Sequence, residues 1–168
     1  VMAEGDIAYA PRTENYHYEM ELVFALKSGG TKITEADALS HIYGCAAGLD
    51  MTRRDLQNKA KENRKPWDTA KDVDESAVIT PLRQMSEVPS VASGRIHLSQ
   101  NGTVKQDADL SEMVWSVPEI IADLSTMYTL QQGDVIYMGT PAGVGAVSRG
   151  DVLAGGVEGI GDFEVKIA

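Results

Sequence analysis

Residues Tyr16–Leu26 read YHYEMELVFAL, with apolar side chains at Tyr16, Tyr18, Met20, Leu22, Phe24 and Leu26 and with His17, Glu19 and Glu21 between them. This period-two pattern predicts a strand that carries both glutamates on one face. Carboxylates at that spacing sit about 7 Å apart and repel by roughly 2 kcal/mol at an effective dielectric of ~20. Asp50, which ends the apolar run IYGCAAGLD, can join them from a second strand. Three carboxylates from two strands make a compact oxygen site for a hard divalent cation, and water or substrate oxygens complete an octahedron at about 2.0 to 2.1 Å for magnesium. The competing reading is a solvated acidic face, the ordinary place for glutamates. His17 reads as a partly buried, hydrogen-bonded strand histidine rather than as a ligand or a base.

Two further segments carry chemistry. If Asp50 to Gln57 is helical, then Asp50, Arg54 and Gln57 fall at i, i+4 and i+7 on one face and offer a ligand, a carboxylate clamp and an amide donor in one row. Arg54, rather than Arg53, then points with Asp50, and its planar fork suits a substrate carboxylate. Lys71 follows the turn KPWDT, where Trp67 would shelter it and so lower its pKa or place it beside an oxyanion. The alternative is a charged surface helix with an ion pair or two, and Glu62, Arg64 and Lys65 belong to that reading. The third segment is GTPAGVG, Gly139 to Gly145, directly after an apolar strand. Its glycines allow close backbone approach, and the Thr140 hydroxyl beside free backbone N–H groups makes a carboxylate nest. Gly-Pro turns after strands are common, so the segment has little weight alone. It is no phosphate loop, because the Lys-Ser/Thr ending is absent.

The elements that must hold these groups read as strands with a few helices. Thr34 caps a short helix with Asp37 three residues on, and RIHLSQNGTVKQ is a hairpin turning at Asn101 and Gly102. SVPEIIADLSTMY is an amphipathic helix capped by Ser116 and Glu119, with Ile120, Ile121, Leu124 and Tyr128 on its apolar face. GDVIYMG, GDVLAGGVEG and FEVKI are strands between glycine turns, whereas the first residues, VMAEGDIAYAP, show no element of their own. The sum is a β-rich α+β fold. With 168 residues, 43% of them hydrophobic, one domain spanning 1–168 is expected. A formal net charge of -10 argues against nucleic acid or an anionic membrane surface as partner. Cys45 is the only cysteine, which excludes an internal disulfide and a cysteine-based zinc site and fits a reducing cytoplasm. No apolar run approaches the ~18 to 20 residues of a spanning helix, and the opening lacks the basic and apolar regions of a signal peptide.

As an ordered set, YHYEMEL, GLDMTRRDLQ, KPWDTAK, QNGTVKQDADLSEMVWSVPEIIADLS and LQQGDVIYMGTPAGVG resemble the fumarylacetoacetate hydrolase family, most closely its fumarylpyruvate hydrolase and acylpyruvase branch. The resemblance implies a mixed β-roll with short peripheral helices, usually as a homodimer. It implies magnesium or manganese held by Glu19, Glu21 and Asp50, and substrate contacts from Arg54, Gln57, Lys71 and Thr140. It further implies metal-assisted hydrolysis of the bond between carbons 3 and 4 of a 2,4-dioxo acid, such as fumarylpyruvate to fumarate and pyruvate, in aromatic catabolism of the gentisate type. Lys71 would stabilise oxyanion charge, Arg54 and Gln57 would orient the substrate, and Thr140 would hold a carboxylate.

Two alternatives stay open: a decarboxylase or isomerase of a related 2-oxo acid, and a non-catalytic metal and oxo-acid binding protein. Val73 stands where relatives commonly carry Phe, a change expected at the pocket wall. Relatives also carry an upstream segment with a catalytic His and Glu on a lid, and this sequence starts after the point where it should end. The expectation is therefore a chain that binds an oxalate-like chelator but turns substrate over poorly, since general-base help is typically worth about 10² to 10⁴ in rate.

Overall fold

The computed structural model describes residues 1–168. The chain enters through β1 (Gly5–Ile7), a strand too short to show a period in the sequence. The Tyr16–Leu26 run becomes two strands, β2 (Tyr16–Tyr18) and β3 (Met20–Leu26), with Glu19 in the gap between them. Next come α1 (Glu35–Ala38), capped by the Thr34 hydroxyl, and β4 (Ile42–Asp50). They are followed by β5 (Thr52–Arg53), α2 (Arg54–Glu62), α3 (Asp68–Lys71), β6 (Ala77–Ile79) and β7 (Arg83–Gln84). The expected hairpin forms as β8 (Arg95–Gln100) and β9 (Thr103–Asp109). The chain finishes with α4 (Val117–Met127), β10 (Val135–Tyr137), β11 (Gly145–Ala146), β12 (Val152–Val157) and β13 (Gly161–Ile167).

Three sheets share one core. The first runs β1-β13-β12-β8-β9, the second β10-β3-β4-β6 with β7 also on β4, and the third β11-β2-β5. Only β1 and β13 pair in parallel, so the fold is the expected mixed, β-rich roll with short helices. A cluster of 32 buried apolar residues fills it. Val73 packs against that cluster. All seven residues of β3 are buried, which the alternation of its first half did not suggest. β4 can lie against β3 because its middle is small, Gly44, Cys45, Ala46, Ala47 and Gly48. Gly48 faces Glu21 across the pair, and a Cβ there would fall 2.7 Å from the Val23 side chain and 2.8 Å from the Val78 carbonyl.

Two sequence expectations need correction. Asp50 is not on a helix with Arg54 and Gln57: it ends β4, Met51 N–H bonds the Ser76 carbonyl, and Thr52 and Arg53 pair with His17 and Tyr16. Sheet pairing overrides the helical spacing, and α2 starts only at Arg54. The inward face of α4 is Val117, Ile121 and Ser125, with Ile120 and Leu124 packed against the core as expected, but it stops short of Tyr128, which caps the helix in an extended conformation and is exposed. Ser125 is tolerated inside because its hydroxyl accepts the Ile33 N–H at 2.8 Å and donates to the Ala122 carbonyl. The capping box of Ser116 and Glu119 is present as expected.

Because nothing but hydrogen fits at position 48, Gly48→Ala should lower unfolding free energy by about 1 to 3 kcal/mol. Urea unfolding checks this, and an unchanged midpoint would show that β3 and β4 have room to part.

Candidate active site

Glu19 stands where the chain passes from the β2 sheet to the β3 sheet. Its carbonyl accepts the Asp50 N–H at 2.9 Å, which makes Asp50 its neighbour across the strands, and Glu21 lies two residues further along the same edge. The carboxylates of Glu19, Glu21 and Asp50 offer ligand oxygens that all lie within 4.8 Å of one another. Glu19 and Glu21 are only 7% and 3% exposed, so the solvated acidic face is excluded. An all-carboxylate donor set of this size suits a hard cation such as magnesium or manganese.

Cations already surround it. The Lys71 ammonium donates to Glu19 at 2.7 Å and also to Asp50. Arg54 donates to Glu19, to the Gln57 amide oxygen and, through Nε, to His17 Nδ1 at 3.4 Å. Three of the five guanidinium N–H groups are thus committed and two remain for a ligand. His17 must accept at Nδ1 and so donates from Nε2 to Asn15 at 2.7 Å. Burial and the Arg54 charge push its pKa down, which keeps it neutral. It is therefore a prop for Arg54. Arg53 turns away to the carbonyls of Pro11 and Asp72. Trp67 does not shelter Lys71: it is exposed, and the Lys61 ammonium sits 4.9 Å above its ring. Burial would lower the Lys71 pKa, but the bonds to Asp50 and Glu19 outweigh it and the pKa is raised.

The GTPAGVG loop reaches the same place. Gly139 N–H donates to Glu21 Oε2 at 2.6 Å, so part of the expected nest already serves a carboxylate of the protein. Thr140 follows, half-buried, between that carboxylate and a separate cavity of about 710 Å³ lined by Leu22, Met138, Trp115 and the acidic Asp107, Asp109, Glu112 and Asp123, which none of Glu19, Asp50, Arg54 or Lys71 reaches. Behind the loop lies Gln106, fully buried on β9, which bonds Met20 N, Thr140 Oγ1 and the Pro141 carbonyl. Sequence reasoning passed over it. The available signal was its hairpin position, opposite the apolar Leu98 and therefore on the inward face.

Burial raises the Glu21 pKa to about 7, against the help of the Gly139 N–H. A carboxyl whose folded pKa exceeds its unfolded value stabilises the fold below the unfolded pKa, and that contribution is lost as pH rises through 7. Between pH 4.5 and 7 the loss is about 3 kcal/mol from this group. Thermal unfolding in chelator should therefore show a fall in stability over this range that Glu21→Gln flattens. Equal slopes in the two proteins would assign the effect elsewhere.

Comparison with known proteins agrees with this architecture. The family model described as fumarylacetoacetate (FAA) hydrolase C-terminal matches residues 1–168. The chain is 52% identical over 167 residues to the fumarylpyruvate hydrolase of Ralstonia sp, covering 99% of this chain and 86% of that one. It is 33% identical over 169 residues to the mitochondrial oxaloacetate tautomerase of Homo sapiens, covering 95% and 76% respectively. It superposes with a TM-score of 0.96 and 42% identity on the crystal structure of fumarylpyruvate hydrolase from Pseudomonas aeruginosa in complex with Mn2+ and pyruvate, over all of this chain and 73% of that one. The chain belongs to the fumarylacetoacetate hydrolase family.

Proposed function

We propose that this chain hydrolyses the bond between carbons 3 and 4 of an acylpyruvate, with fumarylpyruvate as the first substrate to test. The observation that carries the reading is the cluster of Glu19, Glu21 and Asp50, flanked by Arg54, Gln57, Lys71 and the Gly139–Thr140 turn. Identity to a fumarylpyruvate hydrolase is 52%, against 33% to an oxaloacetate tautomerase, which supports hydrolysis over tautomerisation.

In this reading Glu19, Glu21 and Asp50 hold magnesium or manganese, which when bound supplies Lewis-acid polarisation at the 2-oxo acid end of the substrate. Arg54 offers its two uncommitted N–H groups to the substrate carboxylate, and Gln57, whose amide oxygen accepts from the guanidinium, holds it in orientation. Lys71 is protonated at neutral pH, so it acts as a positive charge beside the carbonyl oxygen at position 4 and not as a base. Thr140 donates its hydroxyl to a substrate oxygen. Water adds to carbon 4 and the 3,4 bond breaks. Its electron pair leaves on the pyruvate fragment, which takes up a proton at carbon 3, and the acyl fragment leaves as a carboxylate. A homodimer, a cytoplasmic location and a place in aromatic catabolism of the gentisate type accompany this reading. No helix is long and apolar enough to cross a membrane.

Incubation of the chain with fumarylpyruvate and magnesium or manganese should release fumarate and pyruvate, at the low rate expected from the sequence. Release of carbon dioxide from oxaloacetate without cleavage of fumarylpyruvate would favour the decarboxylase alternative, and neither reaction would favour a binding protein. Two variants divide the roles. Glu21→Gln removes one ligand charge and should weaken magnesium binding and activity together, so unchanged affinity by calorimetry would remove Glu21 from the metal site. Lys71→Met should lower turnover by at least about tenfold, far more than it changes metal affinity. Turnover within a few-fold of the parent would leave oxyanion stabilisation without Lys71.

A further inference from the structure

Gln106 makes three hydrogen bonds whose directions leave no freedom. Its Oε1 accepts from Met20 N–H at 3.0 Å, and its Nε2 donates to the Pro141 carbonyl at 2.9 Å and to Thr140 Oγ1 at 2.8 Å. A backbone N–H can only donate and a carbonyl can only accept, so the amide cannot be turned over. The Thr140 hydroxyl is therefore forced to accept from Gln106, and its own proton must go elsewhere. No acceptor of this chain takes it, and Thr140 is half-buried while Gln106 is fully buried.

The loop is pressed onto β9 at this point. Gly143, at φ +102°, lies so close to the strand that a Cβ would sit 2.0 Å from the Lys105 carbonyl. The other end of the amide holds Met20, the residue between Glu19 and Glu21. One buried side chain thus links the carboxylate strand to the turn that presents Thr140.

We propose that Gln106 is a positioning residue that sets the Thr140 hydroxyl as an obligatory donor on the turn whose Gly139 N–H holds Glu21, where it meets an oxygen of the anionic oxo-acid substrate. This rests on the reading of Thr140 as a substrate contact. Gln106 touches no substrate atom itself, and its effect passes through the direction of one O–H bond. Gln106→Glu keeps the shape and reverses the chemistry: an ionised carboxylate would draw the Thr140 proton inward and remove the donor.

A double-mutant cycle tests it, with pyruvate binding to the manganese-loaded chain and manganese binding itself both measured by calorimetry. Thr140→Val and Gln106→Glu should each weaken pyruvate binding about tenfold, the scale of one hydrogen bond to a charged group. The double variant should be no worse than Thr140→Val alone, and manganese affinity should stay within about twofold throughout. In the Thr140→Ser background, which retains a hydroxyl, Gln106→Glu should again cause its full loss. If Gln106→Glu does not fold, Gln106→Met, which frees the hydroxyl to rotate, should weaken pyruvate binding about threefold, and only when residue 140 bears a hydroxyl. Multiplicative losses in the double variant, or a loss of manganese affinity as large as that of pyruvate, would overturn the role of Gln106 while leaving Thr140 as a contact. Unchanged pyruvate binding in Thr140→Val would instead overturn the Thr140 reading, and this proposal with it.

Discussion

Three carboxylates within 4.8 Å of one another, two of them buried, form the constraint around which the rest of this structure is arranged. Like charges in a site of reduced dielectric repel strongly, so they persist only where other groups compensate them. Lys71 bridges Glu19 and Asp50, Arg54 holds the other oxygen of Glu19, and the Gly139 amide holds Glu21. Three formal negative charges meet two positive ones. Burial accordingly pushes both Glu21 and Asp50 up, and the imbalance is the electrostatic reason for a divalent ion to enter.

Each compensating group has its own support, which explains why so much of the fold converges here. Arg54 depends on His17, and His17 on Asn15. Gln57 is buried against Arg54 in a helix whose last turns, apart from the buried Ala60, are polar and exposed. The first turn of that helix is tied down by Asp55, which accepts from Thr13 and from the Glu14 amide. Gly48, opposite Glu21, leaves room for the Val23 and Tyr137 side chains and the Val78 carbonyl to close in beside it.

The strands that flank Glu19 and carry Glu21 and Asp50 were legible in the sequence because alternation and a compact apolar run are local signals. So were the Asn101-Gly102 hairpin and the capped helix after Ser116, which depend on residues a few positions apart. What the sequence hid was set at long range. The break at Glu19 arises because its two flanking strands join different sheets, and the strand start at Gly5 has meaning only against Val165. The environment of Lys71 was misjudged for the same reason: its nearby Trp67 is irrelevant and its partners lie 21 and 52 residues away. Gln106 belongs to this class, as a residue on a hairpin arm whose importance comes from loops it meets only after folding.

The amide that orients Glu21 comes from a residue 118 positions later in the chain. Contacts of such separation form after local hairpins and helices, because loop-closure entropy is spent before they return anything. A chain emerging from the ribosome therefore has its carboxylates long before it has the turn that orders them. The arrangement favours loading of the ion as a late event in maturation. An ion that binds the native state but not the unfolded one shifts the folding equilibrium by mass action, so the supply of cation also sets part of the stability of the protein.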